Sequence, residues 1–181
     1  MKLYLVRHGQ TDWNLNERIQ GLSDIPLNDT GIIQAKELAQ QIRAQDLTFD
    51  AVYASPLQRA YNTAEIITDR QYNIIVSPLI VERSFGDIEG TTPSERTISS
   101  AEIDDSTICP QYNIETIEHI FKRSEQFLAQ LRSTHPNDAT VLVVAHGGFL
   151  RHLHFTIVGH DADTDLYSTR FGNCEMRAYE I

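Results

Sequence analysis

Two apolar runs frame this chain. Residues 2–6 (KLYLV) and 140–145 (TVLVVA) are aliphatic or aromatic at nearly every position after the first, with glycine just downstream, the pattern of strands buried on both faces. Residues 50–54 (DAVYA) and 74–77 (IIVS) predict two further strands, and residues 174–181 alternate as a half-exposed edge strand does. Helical spacing fills the intervals. Asn28 predicts the cap of a helix whose apolar face uses Ile32, Ile33, Ala35, Leu38, Ala39 and Ile42. Ser55-Pro56-Leu57-Gln58 reads as a capping box with proline at the first helical position, starting a helix that runs to about residue 68 and carries Arg59 in its first turn. A third helix is expected after Asn113, presenting Ile117, Ile120, Phe121, Phe127, Leu128 and Leu131 until His135-Pro136 stops it. A fourth follows Gly147. Strands alternating with helices imply parallel pairs joined by right-handed crossovers, hence a three-layer α/β/α sandwich.

Residues 86–111 break the rhythm. The stretch is polar, rich in Ser, Thr and Glu, with Pro93 and Pro110 near its ends, and reads as a surface excursion or lid on a single domain spanning 1–181. A chain of 181 residues with 41% hydrophobic content can bury its own core without disulfides or a structural metal. Cys109 and Cys174 stand in no metal-ligand spacing and read as reduced thiols, which points to the cytosol. The first apolar run meets Arg7 after four residues, too soon for a signal-peptide core or a membrane span. The net charge of -10, from 25 acidic and 15 basic residues, repels nucleic-acid phosphates over most of the surface. A phosphate monoester can still bind where a few arginines converge in one cleft.

In a parallel sheet, ligands bind beyond the carboxyl ends of the strands, and Arg7-His8 and His146 both follow a strand directly. Arg59 follows another, inside the first turn of a helix where free N–H groups favour an anion. Two guanidinium groups, two imidazoles and helix N-termini would suit three phosphoryl oxygens. Glu82, ahead of Phe85-Gly86, is the candidate proton donor for a leaving oxygen. His152 and His154 lie two apart on a helix with His146 before them, so their rings diverge and no metal site is expected. No cofactor is called for.

Four motifs in this order resemble the signatures of the histidine phosphatase superfamily, the phosphoglycerate-mutase-like group. They are LVRHGQTDWN (5–14), ASPLQRAYNTA (54–64), ERSFGDIEG (82–90) and AHGG (145–148), and fainter likeness at RIQGLSDIPLNDTG and at Glu115-Thr116 with Arg123 extends it over nearly the whole chain. The resemblance implies a mostly parallel sheet with an antiparallel edge strand. It implies His8 as nucleophile, with Arg7, Arg59 and His146 stabilising the transferring group and Glu82 as acid, then base. Asn14 and the backbone N–H of Gly147 would add phosphate donors, and Thr11, Gln20 and Gly21 would line the substrate side. The imidazole must attack unprotonated, so its other nitrogen needs a fixed partner such as the Gly9 carbonyl.

Departures from the pattern separate two activities. Similar mutases carry Tyr where Phe85 stands, then an insertion with a Lys and a paired Arg-Arg that retain a bisphosphate intermediate; this sequence has Thr and Pro after Gly90 and no Arg-Arg before His146. A phosphoenzyme without that grip surrenders its phosphoryl group to water. The expectation is therefore a metal-independent phosphatase acting on a small phosphorylated metabolite, of the broad-specificity or α-ribazole phosphate kind. The alternatives are a cofactor-dependent phosphoglycerate-type mutase and a non-enzymatic phospho-ligand module.

Overall fold

The structure, a computed structural model, describes residues 1–99 and 101–181; Ser100, inside the 86–111 stretch, lies outside the described residues. Five strands form one sheet: β1 (Lys2–Arg7), β2 (Ala51–Ala54), β3 (Ile74–Val76), β4 (Thr140–Ala145) and β5 (Met176–Glu180), in the order β3-β2-β4-β1-β5. The first four are mutually parallel, and β5 runs antiparallel along β1. The helices are α1 (Asp12–Leu15), α2 (Asp29–Ala44), α3 (Gln58–Ile67), α4 (Ile117–Thr134) and α5 (Gly147–Val158). Alternate strand residues feed two cores. Leu3, Leu5, Tyr53, Val141 and Val143 pack with Phe127 and Leu131 of α4 and with Phe149, Leu150 and Leu153 of α5. Tyr4, Val6, Val52, Leu142 and Val144 pack on the opposite face with Ala35 and Leu38 of α2 and Ala60 and Ala64 of α3. Each fully buried Leu or Ile contributes roughly 1.5–3 kcal/mol, so the layering follows directly from the strand periodicity.

Local details correct the sequence reading. The helix expected from Ser55 begins at Gln58, with Leu57 as a cap that makes no side-chain bond. Asp24 Oδ1 accepts the Gln58 N–H at 2.8 Å instead, while Ser55 Oγ accepts the Leu57 N–H at 3.3 Å and pairs with His146. The helix expected after Asn113 begins at Ile117 and is capped by Thr116; Asn113 has φ 56° and closes the preceding turn. Ile33 is 55% exposed, leaving the α2 face to Ala35, Leu38, Ala39 and Ile42.

The 86–111 stretch is less polar in space than in sequence. Ile88, Ile98, Ile103 and Cys109 pack with Ile114 in a small cluster of their own. Gly90 N–H donates to Ile19 O at 2.8 Å, and Ile19 N–H donates to Thr91 O at 3.1 Å, fastening the stretch to the loop that follows α1. Among the described residues, no helix is long and apolar enough to cross a membrane.

Candidate active site

The sheet register brings the motif residues together. β1 and β4 are neighbours with Arg7 opposite Ala145, so His8 and His146 leave adjacent strands side by side, and the His8 N–H donates to Ala145 O at 3.0 Å. Their ring centroids are 5.2 Å apart. β2 flanks β4 on the other side, and Ser55, the residue after it, lies 2.8 Å from His146 Nε2 through its Oγ. Gly147 opens α5 against Arg7: a Cβ there would stand 3.3 Å from Arg7 Nε.

His8 is oriented from three directions. Its Nδ1 lies 2.7 Å from Gly9 O. A carbonyl only accepts, so Nδ1 carries the proton and Nε2 keeps its lone pair. Asn173 Nδ2 donates to His8 O at 2.9 Å, and the Gly9 N–H donates to Thr63 Oγ1, which in turn donates to Arg59 O. His8 is only 2% exposed, yet Nε2 is not among the side-chain nitrogens sealed without a partner, so that residual exposure reaches the nucleophilic edge. Burial first, then the charges of Arg7 and Arg59, hold the His8 imidazole well below its usual pKa. Burial, Arg59, His8 and Arg7 do the same for His146, whose Nδ1 is sealed without a partner among the described residues. Both rings are neutral at pH 7.

The two arginines are braced by carbonyls. Arg7 Nη1 donates to Phe171 O at 2.8 Å. Arg59 is fully buried; Nη1 donates to Ser23 O at 2.7 Å and Nη2 to Gly21 O at 2.8 Å, which excludes a surface pairing with Glu65. Neither arginine makes an ion pair among the described residues, and Glu82 is the carboxylate whose charge acts most strongly on both. Glu82 sits astride the start of α5, accepting from Gly148 N–H at 3.0 Å and Phe149 N–H at 2.9 Å, with Arg83 N–H adding a third bond at 2.9 Å. Its backbone bonds, not Arg83 or Arg96, fix its direction.

The remaining predicted residues, Thr11, Asn14, Gln20 and Gly21, lie on the segment that carries α1. Asn14 Oδ1 is drawn to the Thr11 N–H, at 3.2 Å, as part of a capping box, and no protein acceptor takes its Nδ2 among the described residues. Thr11 is fully buried and donates to Gln20 Oε1 at 3.0 Å, so it braces the segment from within. Gly21 has φ 52° and faces Glu89, whose carboxylate accepts from Leu22 N–H and Ser23 N–H, both at 2.9 Å. The loop over 21–23 is thus clamped by Arg59 from one side and Glu89 from the other. Sequence reasoning missed Ser55, Thr63, Glu89 and Asn173 as positioning residues; the first three lie inside the quoted motifs, whereas Asn173 carried no signal.

Residues 3–181 match the model of the Histidine phosphatase superfamily (branch 1). The chain belongs to that superfamily, and it is a phosphatase enzyme. An uncharacterized phosphatase, PhoE, of Bacillus subtilis (strain 168) is 42% identical over 178 residues, covering 98% of this chain and 86% of that protein. A mutant phosphoserine phosphatase of Entamoeba histolytica, solved in complex with phosphoserine, superposes with a TM-score of 0.83 at 32% identity, over 98% of this chain and 89% of that one. A probable phosphoglycerate mutase, GpmB, of Proteus mirabilis (strain HI4320) is 31% identical over 97% of this chain and 83% of that protein.

Proposed function

We propose that this chain hydrolyses small phosphate monoesters without a metal, through a phosphohistidine formed on His8 Nε2. The observation that carries the reading is the bond from His8 Nδ1–H to Gly9 O, which leaves the Nε2 lone pair free on a ring that the Arg7 and Arg59 charges reach. In the first step Nε2 bonds to phosphorus, the bond from phosphorus to the ester oxygen breaks, and Glu82 gives its proton to the departing alcohol. In the second, water attacks phosphorus while the Glu82 carboxylate takes a water proton, and the P–N bond breaks to restore the neutral imidazole. Arg7, Arg59 and His146 stabilise the charge on the equatorial oxygens, with Asn14 Nδ2 and the Gly147 N–H as further donors. Thr11, Gln20 and Gly21 shape the side on which substrate enters.

Two arginines in place of a cation make a metal unnecessary for charge neutralisation. The small-metabolite reading is supported by the phosphoserine held by the Entamoeba histolytica neighbour. Both cysteines are free, which supports a reducing, cytosolic setting. A broad-specificity phosphatase is one candidate, and an α-ribazole phosphate phosphatase is the narrower one. The relative described as a probable phosphoglycerate mutase favours a second reading, isomerisation.

Hydrolysis of p-nitrophenyl phosphate in EDTA, with label from [32P]-substrate trapped on the protein, tests the proposal. Acid-labile label on the wild-type chain, absent from His8→Ala, is the expected result. Phosphate release that persists in His8→Ala, or that EDTA abolishes, overturns it. Formation of 2-phosphoglycerate from 3-phosphoglycerate and 2,3-bisphosphoglycerate faster than free phosphate would make the chain a mutase instead.

A further inference from the structure

The aim of Arg7 hangs on a single bond. Arg59 is braced by two carbonyls, whereas among the described residues the Arg7 guanidinium makes one hydrogen bond to protein, from Nη1 to Phe171 O at 2.8 Å, and its Nε is sealed without a partner. Phe171 lies in the irregular segment between α5 and β5. The end of that segment is fastened to the nucleophile strand: the Cys174 N–H donates to Arg7 O at 3.0 Å, and Asn173 Nδ2 donates to His8 O at 2.9 Å. The Phe171 ring packs into the core shared with α4 and α5. A buried ring does not by itself set the direction of the backbone carbonyl beside it, so something else must aim Phe171 O.

The peptide between Phe171 and Gly172 is trans, so its C=O and N–H share one plane and point opposite ways. The Gly172 N–H donates to Glu175 Oε2 at 2.6 Å, and the Glu175 N–H donates to Gly172 O at 3.1 Å, closing a turn over residues 172–175. The Glu175 carboxylate thus holds the same peptide plane whose oxygen meets Arg7. Arg177, on β5, holds Glu175 in turn, its Nε donating to Oε1 at 2.6 Å. The remainder of its fork is also committed: Nη1 donates to Thr169 Oγ1 at 2.7 Å, Nη2 donates to Arg170 O, and the guanidinium stacks 4.1 Å from the centroid of the Phe171 ring. An isolated ion pair at a surface contributes little, because water screens it and both side chains stay mobile. Here the planar fork is spent on residues 169, 170 and 171 and, through Glu175, on 172, which is how a guanidinium fixes a backbone course.

We infer that Glu175 and Arg177, neither of which bonds to the Arg7 guanidinium, are positioning residues for it, acting through the Phe171–Gly172 peptide. The inference rests on the reading above in which Arg7 stabilises the transferring phosphoryl group. A guanidinium grips phosphate oxygens through N–H groups of fixed geometry, so a small rotation of the carbonyl that aims it costs transition-state stabilisation without removing any charge from the site. The ion pair on the outermost strand is in this way coupled to the phosphorus chemistry.

A double-mutant cycle tests it. Glu175→Ala and Arg177→Gln are each made in the wild-type chain and in Arg7→Gln, and kcat/KM for p-nitrophenyl phosphate is measured for all of them, with thermal melts checking that each is folded at the assay temperature. In the wild-type chain each substitution should lower kcat/KM by about tenfold, the worth of one well-aimed bond to a charged group. In the Arg7→Gln background the further loss should be less than about twofold, because the group being aimed is gone. Losses of equal size in both backgrounds would show that the pair only supports the local fold, and an unchanged kcat/KM in the wild-type chain would be as damaging; either result overturns the positioning role while an impaired Arg7→Gln keeps the reading of the site intact. Should a variant melt below the assay temperature, Glu175→Gln, close in shape to the native side chain, goes through the same cycle under the same criteria. Arg7→Gln as active as the wild-type chain would overturn both the phosphoryl-binding reading of Arg7 and the positioning role.

Discussion

Ser55 Oγ stands 2.8 Å from His146 Nε2, both groups buried, at the ends of two neighbouring strands. The bond fixes the plane of an imidazole that has no other hydrogen-bond partner among the described residues, and it joins the loop preceding Arg59 to the loop preceding α5.

Removing that hydroxyl should therefore cost catalysis more than it costs the fold. Ser55→Ala is expected to lower kcat by about tenfold, the worth of one buried hydrogen bond, with KM little changed. Steady-state kinetics on an alkyl phosphate decide it; an unaltered kcat would mean that His146 is held by packing alone.

Gly148 leaves room for Glu82, since a Cβ there would lie 2.5 Å from Glu82 Oε1. Gly148→Ala should push the carboxyl aside and slow hydrolysis of alkyl phosphates, whose leaving oxygen needs a proton, on the order of a hundredfold. p-Nitrophenyl phosphate, with its good leaving group, should suffer much less in the first step. Equal losses on both substrates would argue against Glu82 as the proton donor.

The loop after the nucleophile is pressed onto α2 by bare backbone. A Cβ on Gly31 would fall 2.1 Å from Gln10 O, and one on Gly9 would fall 2.5 Å from Gly31 O. No side chain can rotate away to relieve either clash, so Gly31→Ala should destabilise the chain by about 1–3 kcal/mol. Urea denaturation monitored by circular dichroism gives the value, and a change below about 0.5 kcal/mol would contradict the close approach.

Stability should fall with acidification before any carboxylate titrates. His8 and His146 are held well below the usual imidazole range by burial and neighbouring guanidinium charge, and burial brings His152 to about 4. An imidazole kept neutral in the fold binds fewer protons than in the unfolded chain, so its contribution is complete above about pH 6.5 and declines as pH drops toward the folded value. For His152 alone the shift corresponds to about 3 kcal/mol at pH 4. Melting temperatures measured at pH 7.5, 6.5 and 5 should decrease in that order, and a flat profile would show that these rings become charged without cost.

The sheet and the four-residue cluster were legible in the sequence because both depend on short-range pattern. Strands β1 and β4 are buried on both faces and read as continuous apolar runs, and the residues after them are fixed by the register. The Ser55 hydroxyl accepts the Leu57 N–H at 3.3 Å, a local bond the sequence pattern can suggest, whereas its second partner, the distant His146 imidazole, comes within reach only through the tertiary fold. The cluster of Ile88, Ile98, Ile103 and Cys109 escaped notice because one-turn helices joined by turns give it neither a 3.6-residue nor a 2-residue period.

The hydrogen-bond ladder that sets Arg7 opposite Ala145 has an evolutionary corollary. His8 and His146 follow rungs of the central sheet and cannot drift without unzipping the strands, whereas the loop over 21–23 and the 86–111 stretch lie outside it. Sequence change in those outer segments can retune which alcohol is released and leave the phosphorus chemistry as it stands.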